Sequence, residues 1–193
     1  VLCFEWFFIA RTLTPSADET LLIGVNVVVV DVFDEIVLGG HEIRETNYST
    51  EARVLVEKSH VFDEKTLAGI ASQLAKFDAN VKPGTLYNVG AKIESLAGAA
   101  TSKFKNESAS QAVARLEKDL RDFKKKEKLE RVIVVNVSST EPPPPDEVRT
   151  WAWSDIEKSL AGKSKSPLTA STLYAIAAMR TGSHFVNFTP SVG

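Results

Sequence analysis

A run of branched apolar residues that passes into small polar ones is the feature that most constrains this chain. In VIVVNVSSTEPPPP, residues 132–145, four such residues precede Asn136, the hydroxyl residues 138–140 and four prolines. Unbroken Val and Ile runs are typical of a strand buried on both faces of a parallel sheet. Ligands of open α/β sheets bind beyond the carboxyl ends of such strands, so this polar cluster is a candidate binding segment.

Strand-like and helix-like segments alternate along the chain. LLIGVNVVVVDVFDEIVLGG, residues 21–40, predicts one or two strands ending at Gly39-Gly40. Residues 49–59 and 63–77 predict helices, because acidic residues come early and lysines late in each. The apolar residues of 108–130 recur at helical spacing and lead into the strand at 132.

Two more helices are predicted after the prolines, with Ser154 and Thr169 as N-caps, and a last strand covers residues 185–187. Residues 101–110 are polar and predict a surface loop. The alternation predicts an α/β fold whose parallel sheet is joined by crossover connections.

Composition excludes several classes of protein. The 193 residues are 44% apolar and 25% charged, as in ordinary globular proteins, and the net charge of −2 gives no basic surplus for binding nucleic acid. The single cysteine, Cys3, excludes an internal disulfide and fits a reducing compartment, so a cytoplasmic location is expected.

The opening VLCFEWFFIA is shorter than the roughly 20 residues of a membrane span. It contains Glu5 and predicts a buried helix, with no membrane association.

Three predicted strands end in polar or glycine-rich sequence: LGGHEIRE (38–45), VVNVSSTE (134–141) and FVNFTPS (185–191). Each has a structural explanation, such as a tight turn or a helix cap. Together they favour a single binding crevice, in which His41 is a weaker candidate. The sequence contains no Gly-x-Gly-x-x-Gly, no P-loop, no Gly-x-Ser-x-Gly and no histidine spacing typical of a metal site.

These strand-end motifs, with STLYAIAA (171–178) and PGTLYNVGAKIESLA (83–97), resemble the inositol-3-phosphate synthase (myo-inositol-1-phosphate synthase) family, most of all its bacterial branch. The resemblance implies a Rossmann-like NAD-binding domain. It also implies NAD-dependent conversion of glucose 6-phosphate to inositol phosphate by oxidation, enolisation, ring closure and reduction, an isomerisation without net redox change. The complete enzymes are typically homotetramers.

The resemblance also nominates residues that contact NAD, although it assigns no catalytic residue to this chain. They are Gly40, Glu42, Ser138, Ser139, Thr140, Ser171 and Asn187. At position 42 the family usually has aspartate, so the longer glutamate alters the expected contact with the ribose.

Two elements of the family pattern are missing from the sequence. The glycine-rich phosphate loop is expected before residue 1, and the catalytic lysines after residue 193. Residues 1–193 are therefore expected to be the central part of an NAD-binding domain, truncated at both ends, inactive alone and weak in NAD binding. The alternatives are a non-catalytic Rossmann-like module for oligomerisation or regulation, and an ordinary NAD-dependent dehydrogenase. The dehydrogenase is disfavoured because no acid-base residue is evident at a strand end.

Overall fold

The computed structural model describes the backbone of residues 6–12 and all of residues 36–60 and 62–189. Within these ranges the chain forms one five-stranded sheet of order β3-β2-β1-β4-β5. The strands are β1 (Trp6–Thr12), β2 (Ile36–Glu42), β3 (Val81–Pro83), β4 (Leu129–Asn136) and β5 (His184–Asn187). The order matches the common 3-2-1-4-5 order of dinucleotide-binding domains.

The direction of β1 distinguishes this sheet from an all-parallel one. β1 pairs antiparallel with β2 and with β4, while β2 pairs parallel with β3 and β4 parallel with β5. The parallel sheet predicted from the sequence is thus present in four strands, and β1 is the exception. The buried helix predicted for residues 1–10 was wrong over residues 6–10, which belong to β1. Aromatic and β-branched residues favour strands, and here two neighbours pair with the segment.

The helices connect successive parallel strands, as predicted. They are α1 (Tyr48–Val54), α2 (Glu64–Asp78), α3 (Ala91–Glu94), α4 (Ala99–Ser102), α5 (Ala109–Lys126), α6 (Trp153–Ala161) and α7 (Ala170–Arg180). A π-helical turn, Leu55–Ser59, extends α1, and a 3-10 turn covers Asp146–Thr150. The part of 21–40 before residue 36 lies outside the described residues. The surface loop predicted for 101–110 is partly helical, because α4 ends at Ser102 and α5 begins at Ala109.

The main core lies where α5 and α7 pack against each other and against β4. Leu116 and Leu120 of α5, Tyr174 of α7, and Val132 and Val134 of β4 are fully buried there. The stripe of apolar residues read from the sequence of α5 is therefore the face that covers the sheet.

Side chains at the first turns fix where the long helices begin. Thr169 caps α7 by accepting a hydrogen bond from the Thr172 N–H, as predicted. Ser154 was wrong as the cap of α6, because that helix begins at Trp153. There the Asp155 carboxylate accepts from the Ala152 N–H at 3.2 Å and supplies the missing acceptor.

The pair Gly39-Gly40 lies inside β2, which continues to Glu42, so the strand end predicted at these glycines was wrong by two residues. Gly39 is required by close packing. A Cβ atom there would lie 2.8 Å from the Phe123 ring and 3.1 Å from the Asn80 Cβ. The glycine lets α5 and the turn before β3 approach the strand.

We expect Gly39→Ala to lower the free energy of unfolding by about 1–3 kcal/mol, the usual effect of overpacking a core. The matched control is Gly69→Ala in α2, where an added Cβ meets no atom within 4 Å. The control should raise stability by about 0.5–1 kcal/mol, since alanine is the better helix former. Urea denaturation followed by circular dichroism measures both. Equal stability of the two variants would contradict the packing assigned to Gly39.

Candidate functional site

The carboxyl ends of the four parallel strands lie along one edge of the sheet. They are Glu42, Pro83, Asn136 and Asn187. The antiparallel β1 begins at this edge, because Trp6 pairs with His41 on one side and with Asn136 on the other. Every predicted binding segment therefore starts from the same edge, the position at which open α/β sheets bind ligands.

Two asparagines side by side organise the β4 and β5 ends. Asn136 is completely buried; its Nδ2 donates to the Asn187 Oδ1 at 2.9 Å, and its Oδ1 accepts from the Ser138 N–H at 3.0 Å. The Asn187 Oδ1 also accepts from the Thr189 N–H at 3.3 Å. These bonds turn the chain out of both strands and expose Thr140 at the tip of the following loop.

Glu141 ties that loop to the N-terminus of α7. Its carboxylate is buried and accepts hydrogen bonds from the N–H and the hydroxyl of Ser171. Burial raises the pKa of Glu141, while hydrogen bonds from Thr169 and Ser171 act in the opposite direction. An acceptor placed at the first turn of a helix satisfies its open N–H groups. The N–H and hydroxyl of Ser171 thus bind Glu141. Through this carboxylate Ser171 helps to hold the loop after β4 in place.

The carboxylate of Glu42 is held by its own neighbours. Oε1 accepts from the N–H groups of Ile43 and Arg44 at 2.9 and 3.0 Å, and Oε2 accepts from the Arg44 guanidinium at 2.8 Å. Arg44 also contacts Glu51 at 3.2 Å. With only 3% of its side chain exposed, Glu42 is closed towards a ligand in this conformation. A cleft of about 360 Å³ lies beside this pair.

The structure brings the predicted residues to one edge but divides them into two groups. Gly40 and Glu42 lie on β2, whereas Ser138, Ser139, Thr140 and Asn187 follow or end β4 and β5. The start of β1 lies between the groups, and two strand spacings separate β2 from β4 by about 10 Å. A nucleotide is long enough to span this gap.

His41, the weaker candidate, is part of the packing. The ring is completely buried, its Nε2 lies 3.2 Å from the Asp119 carboxylate, and it packs on Tyr174 with ring centroids 5.3 Å apart. Burial lowers the pKa of His41, although Asp119 opposes this. Burial opposes ionisation of Asp119 too, but its bond to His41 and the Arg115 charge lower its pKa overall. A neutral His41 that donates to the Asp119 carboxylate agrees with both shifts.

Three residues that shape the edge were not nominated from the sequence: Arg44, Asp119 and Glu141. Arg44 follows Glu42 by two residues, and Glu141 directly follows the polar cluster. Their positions next to nominated residues could have indicated both from the sequence. Asp119 is one of several charged residues on α5, and nothing in the sequence distinguishes it.

Within the described ranges, no group of three or more histidine, cysteine or acidic residues is arranged to hold a metal ion. No helix among those residues has both the length and the apolar character needed to cross a bilayer.

Comparison with known proteins agrees with this geometry. The family model described as myo-inositol-1-phosphate synthase, an NAD-binding domain, matches residues 14–193. The chain belongs to the myo-inositol-1-phosphate synthase family. NAD is therefore its cofactor class, and the Rossmann-like fold expected from the resemblance is confirmed.

A solved structure shows the same fold. Inositol-3-phosphate synthase from Caenorhabditis elegans superposes with a TM-score of 0.63 at 18% identity, over 79% of this chain. The match covers 29% of the nematode chain, so this chain spans less than a third of that protein. No protein of curated function matches significantly.

The lowered pKa of His41 makes stability depend on pH. The folded state favours the neutral ring, so its contribution is complete above the ordinary pKa of 6.5 and is lost as the pH falls. We expect the free energy of unfolding to decrease between pH 7 and pH 5, by at most about 1.4 kcal/mol per pH unit. His41→Gln, which keeps a donor for Asp119, should flatten this slope in urea titrations.

The control is His184→Gln, which alters an exposed histidine of β5 and should keep the wild-type slope. The contribution of Asp119 to stability is lost only at lower pH, below the ordinary pKa of 3.8. The effects of His41 and Asp119 on stability therefore fall in different pH ranges. An unchanged slope in His41→Gln would contradict the neutral, buried histidine.

Proposed function

We propose that this chain supplies the NAD-facing edge of an inositol-3-phosphate synthase. The reaction is the conversion of D-glucose 6-phosphate to 1D-myo-inositol 3-phosphate, an intramolecular lyase (isomerase) step of inositol and phospholipid biosynthesis. The observation that carries the proposal is the 3-2-1-4-5 strand order with polar loops at the carboxyl ends of β4 and β5. The family match supports it.

Within this proposal the loop after β4 holds the cofactor. Thr140 is exposed, and Ser138 and Ser139 are half-buried in the loop that follows the strand. Gly40 is buried in β2, two residues before the strand ends, and Asn187 ends β5 next to Asn136. Ser171 acts indirectly, through Glu141. When bound, NAD supplies the acceptor and later the donor of the hydride, and the loop orients it.

The strand ends offer hydroxyl groups to NAD in the loop after β4, but they fit its pyrophosphate poorly. In domains of this strand order the phosphate loop follows the first strand at the carboxyl edge. Here β1 runs the opposite way, so the chain leaves β1 at the other edge. Losing about three charge-assisted bonds of roughly 1.5–3 kcal/mol each weakens binding by about three to six decades.

The location and assembly of the complete enzyme belong to the same proposal. We propose that the active enzyme is a cytoplasmic homotetramer, that this chain is the central part of its NAD-binding domain, and that the isolated chain does not turn over glucose 6-phosphate. A non-catalytic Rossmann-like module is the second candidate. Two observations favour it: the reversed β1 and the Glu42 carboxylate closed by Arg44.

Titration of the ¹⁵N-labelled chain with NAD tests the cofactor site. We expect millimolar binding, with saturable amide shifts at Gly40 and at residues 138–140. Thr140→Ala should weaken binding by about threefold to tenfold, since it removes one exposed hydrogen-bonding hydroxyl. Ser72→Ala removes an exposed hydroxyl of α2 and serves as the control, with unchanged affinity.

Micromolar affinity would overturn the argument about the pyrophosphate. Shifts confined to residues away from the sheet edge would contradict the proposed site and favour the non-catalytic module. A glucose 6-phosphate turnover assay on the isolated chain then checks the proposed inactivity, which any product formation would disprove.

A further inference from the structure

Two adjoining clefts lie where the loop after β3 meets the connection between α6 and α7. Their volumes are about 430 and 610 Å³, and they share Leu86, Asn88, Lys105, Lys165 and Ser166. None of the seven residues nominated for NAD lines either cleft. The two clefts form one continuous groove separate from the strand ends, which we call the lysine groove.

Three lysines give this groove its charge: Lys105, Lys163 and Lys165. Lys163 and Lys165 form no ion pair with any residue of the described part, and Lys165 lies 5.8 Å above the Tyr87 ring. Lys105 pairs with Glu94, but its side chain is 60% exposed, and ion pairs at such sites are weak.

Two carboxylates line the groove, Glu94 and Glu107, and the charge of Glu107 is neutralised by Arg115. Glu107 accepts from the Arg115 guanidinium at 2.7 and 3.0 Å and from the Thr85 hydroxyl at 2.8 Å. Its side chain is 8% exposed. The groove therefore presents a net positive charge in a protein whose overall charge is −2.

The segment that directly follows Lys165 is held by hydrogen bonds. The Ser166 carbonyl accepts from the Tyr87 hydroxyl at 2.9 Å and from the Asn88 Nδ2 at 3.0 Å. Asn88 also donates to the Leu168 carbonyl at 2.7 Å, and the Ser159 and Ser166 hydroxyls are 2.7 Å apart. Because the backbone is held at Ser166 and Leu168, an anion binding beside it would need to order less of the loop.

One wall of the groove is apolar. Pro142, Pro143 and Pro167 line it together with Leu86 and Val89. Gly90, with φ of 86°, lets Pro142 approach so closely that a Cβ at position 90 would lie 3.0 Å from the proline ring. Three of the four prolines of the opening motif, Pro142, Pro143 and Pro145, thus form a stiff surface next to the lysines.

From these features we propose that the lysine groove binds a phosphorylated small molecule. Its phosphate lies among Lys105, Lys163 and Lys165, and its organic part packs on the proline wall. Lysine ammonium groups are common phosphate ligands, and a flat proline surface accepts an apolar or ring-shaped group. This inference does not rest on the proposed function, because it uses different residues.

The test is a ¹⁵N NMR titration of the full 193-residue chain with inorganic phosphate and with phenyl phosphate, at constant ionic strength set by sodium chloride. We expect saturable shifts in residues 159–168 and about fivefold tighter binding of phenyl phosphate, since part of its ring is buried. Lys163→Gln/Lys165→Gln should weaken both ligands by about tenfold, through loss of two charged donors.

The matched control is Lys124→Gln/Lys125→Gln, which removes the same charge at the other end of α5, about 24 Å away along the helix. It should leave the affinity unchanged. The site would be refuted by absent saturation, by equal shifts with chloride alone, or by equal weakening in both double variants. Equal affinity for the two phosphates would overturn the part of the proposal that concerns the organic group.

Shifts from NAD at residues 138–140 report on the cofactor site separately, so failure of one proposal is distinguishable from failure of the other.

Discussion

The backbone pairing of β1 is the constraint on which the rest of the sheet depends. β2 and β3 form one parallel pair, and β4 and β5 form another. Among the described residues, β1 alone joins the two pairs into one sheet, with six residue pairs to β2 and seven to β4, interrupted by an irregularity at Arg11 and Thr12. A two-stranded pair is marginal alone, so the common core under α5 and α7 needs this central strand.

The direction of that strand also shapes the function. The strand order is that of a dinucleotide-binding domain, and the four outer strands direct their carboxyl ends to the expected edge. The central strand, from which the phosphate loop normally leaves, directs its amino end there instead. The described part of the chain therefore has the strand order typical of the fold. It does not have the loop after the central strand that would bind the pyrophosphate. Fold alone does not determine function, which depends on the residues at the site.

Several elements could be predicted because their signal is local. The Val and Ile run of β4, the apolar stripe of α5 and the Thr169 cap each occupy a few neighbouring residues, and the structure has all three. The sequence predicted a helix at residues 1–10, and neither the strand β1 nor its direction could be predicted, because its partner strands β2 and β4 are distant in sequence. The Asp119 partner of His41 is 78 residues distant and was equally inaccessible.

The Glu42–Arg44 pair limits what the end of β2 offers to a ligand. The Glu42 carboxylate accepts from the backbone N–H groups of Ile43 and Arg44 and from the Arg44 guanidinium. In the proposed site, a ribose hydroxyl that bound Glu42 would have to replace bonds that already exist, so its net gain would be close to zero. Arg44 is in turn held by Glu51, whose oxygen also accepts from the Thr46 hydroxyl at 2.9 Å. Opening Glu42 to a ligand therefore requires a change in several linked contacts, and in the proposed site we expect the β2 end to contribute less to NAD affinity than the loop after β4.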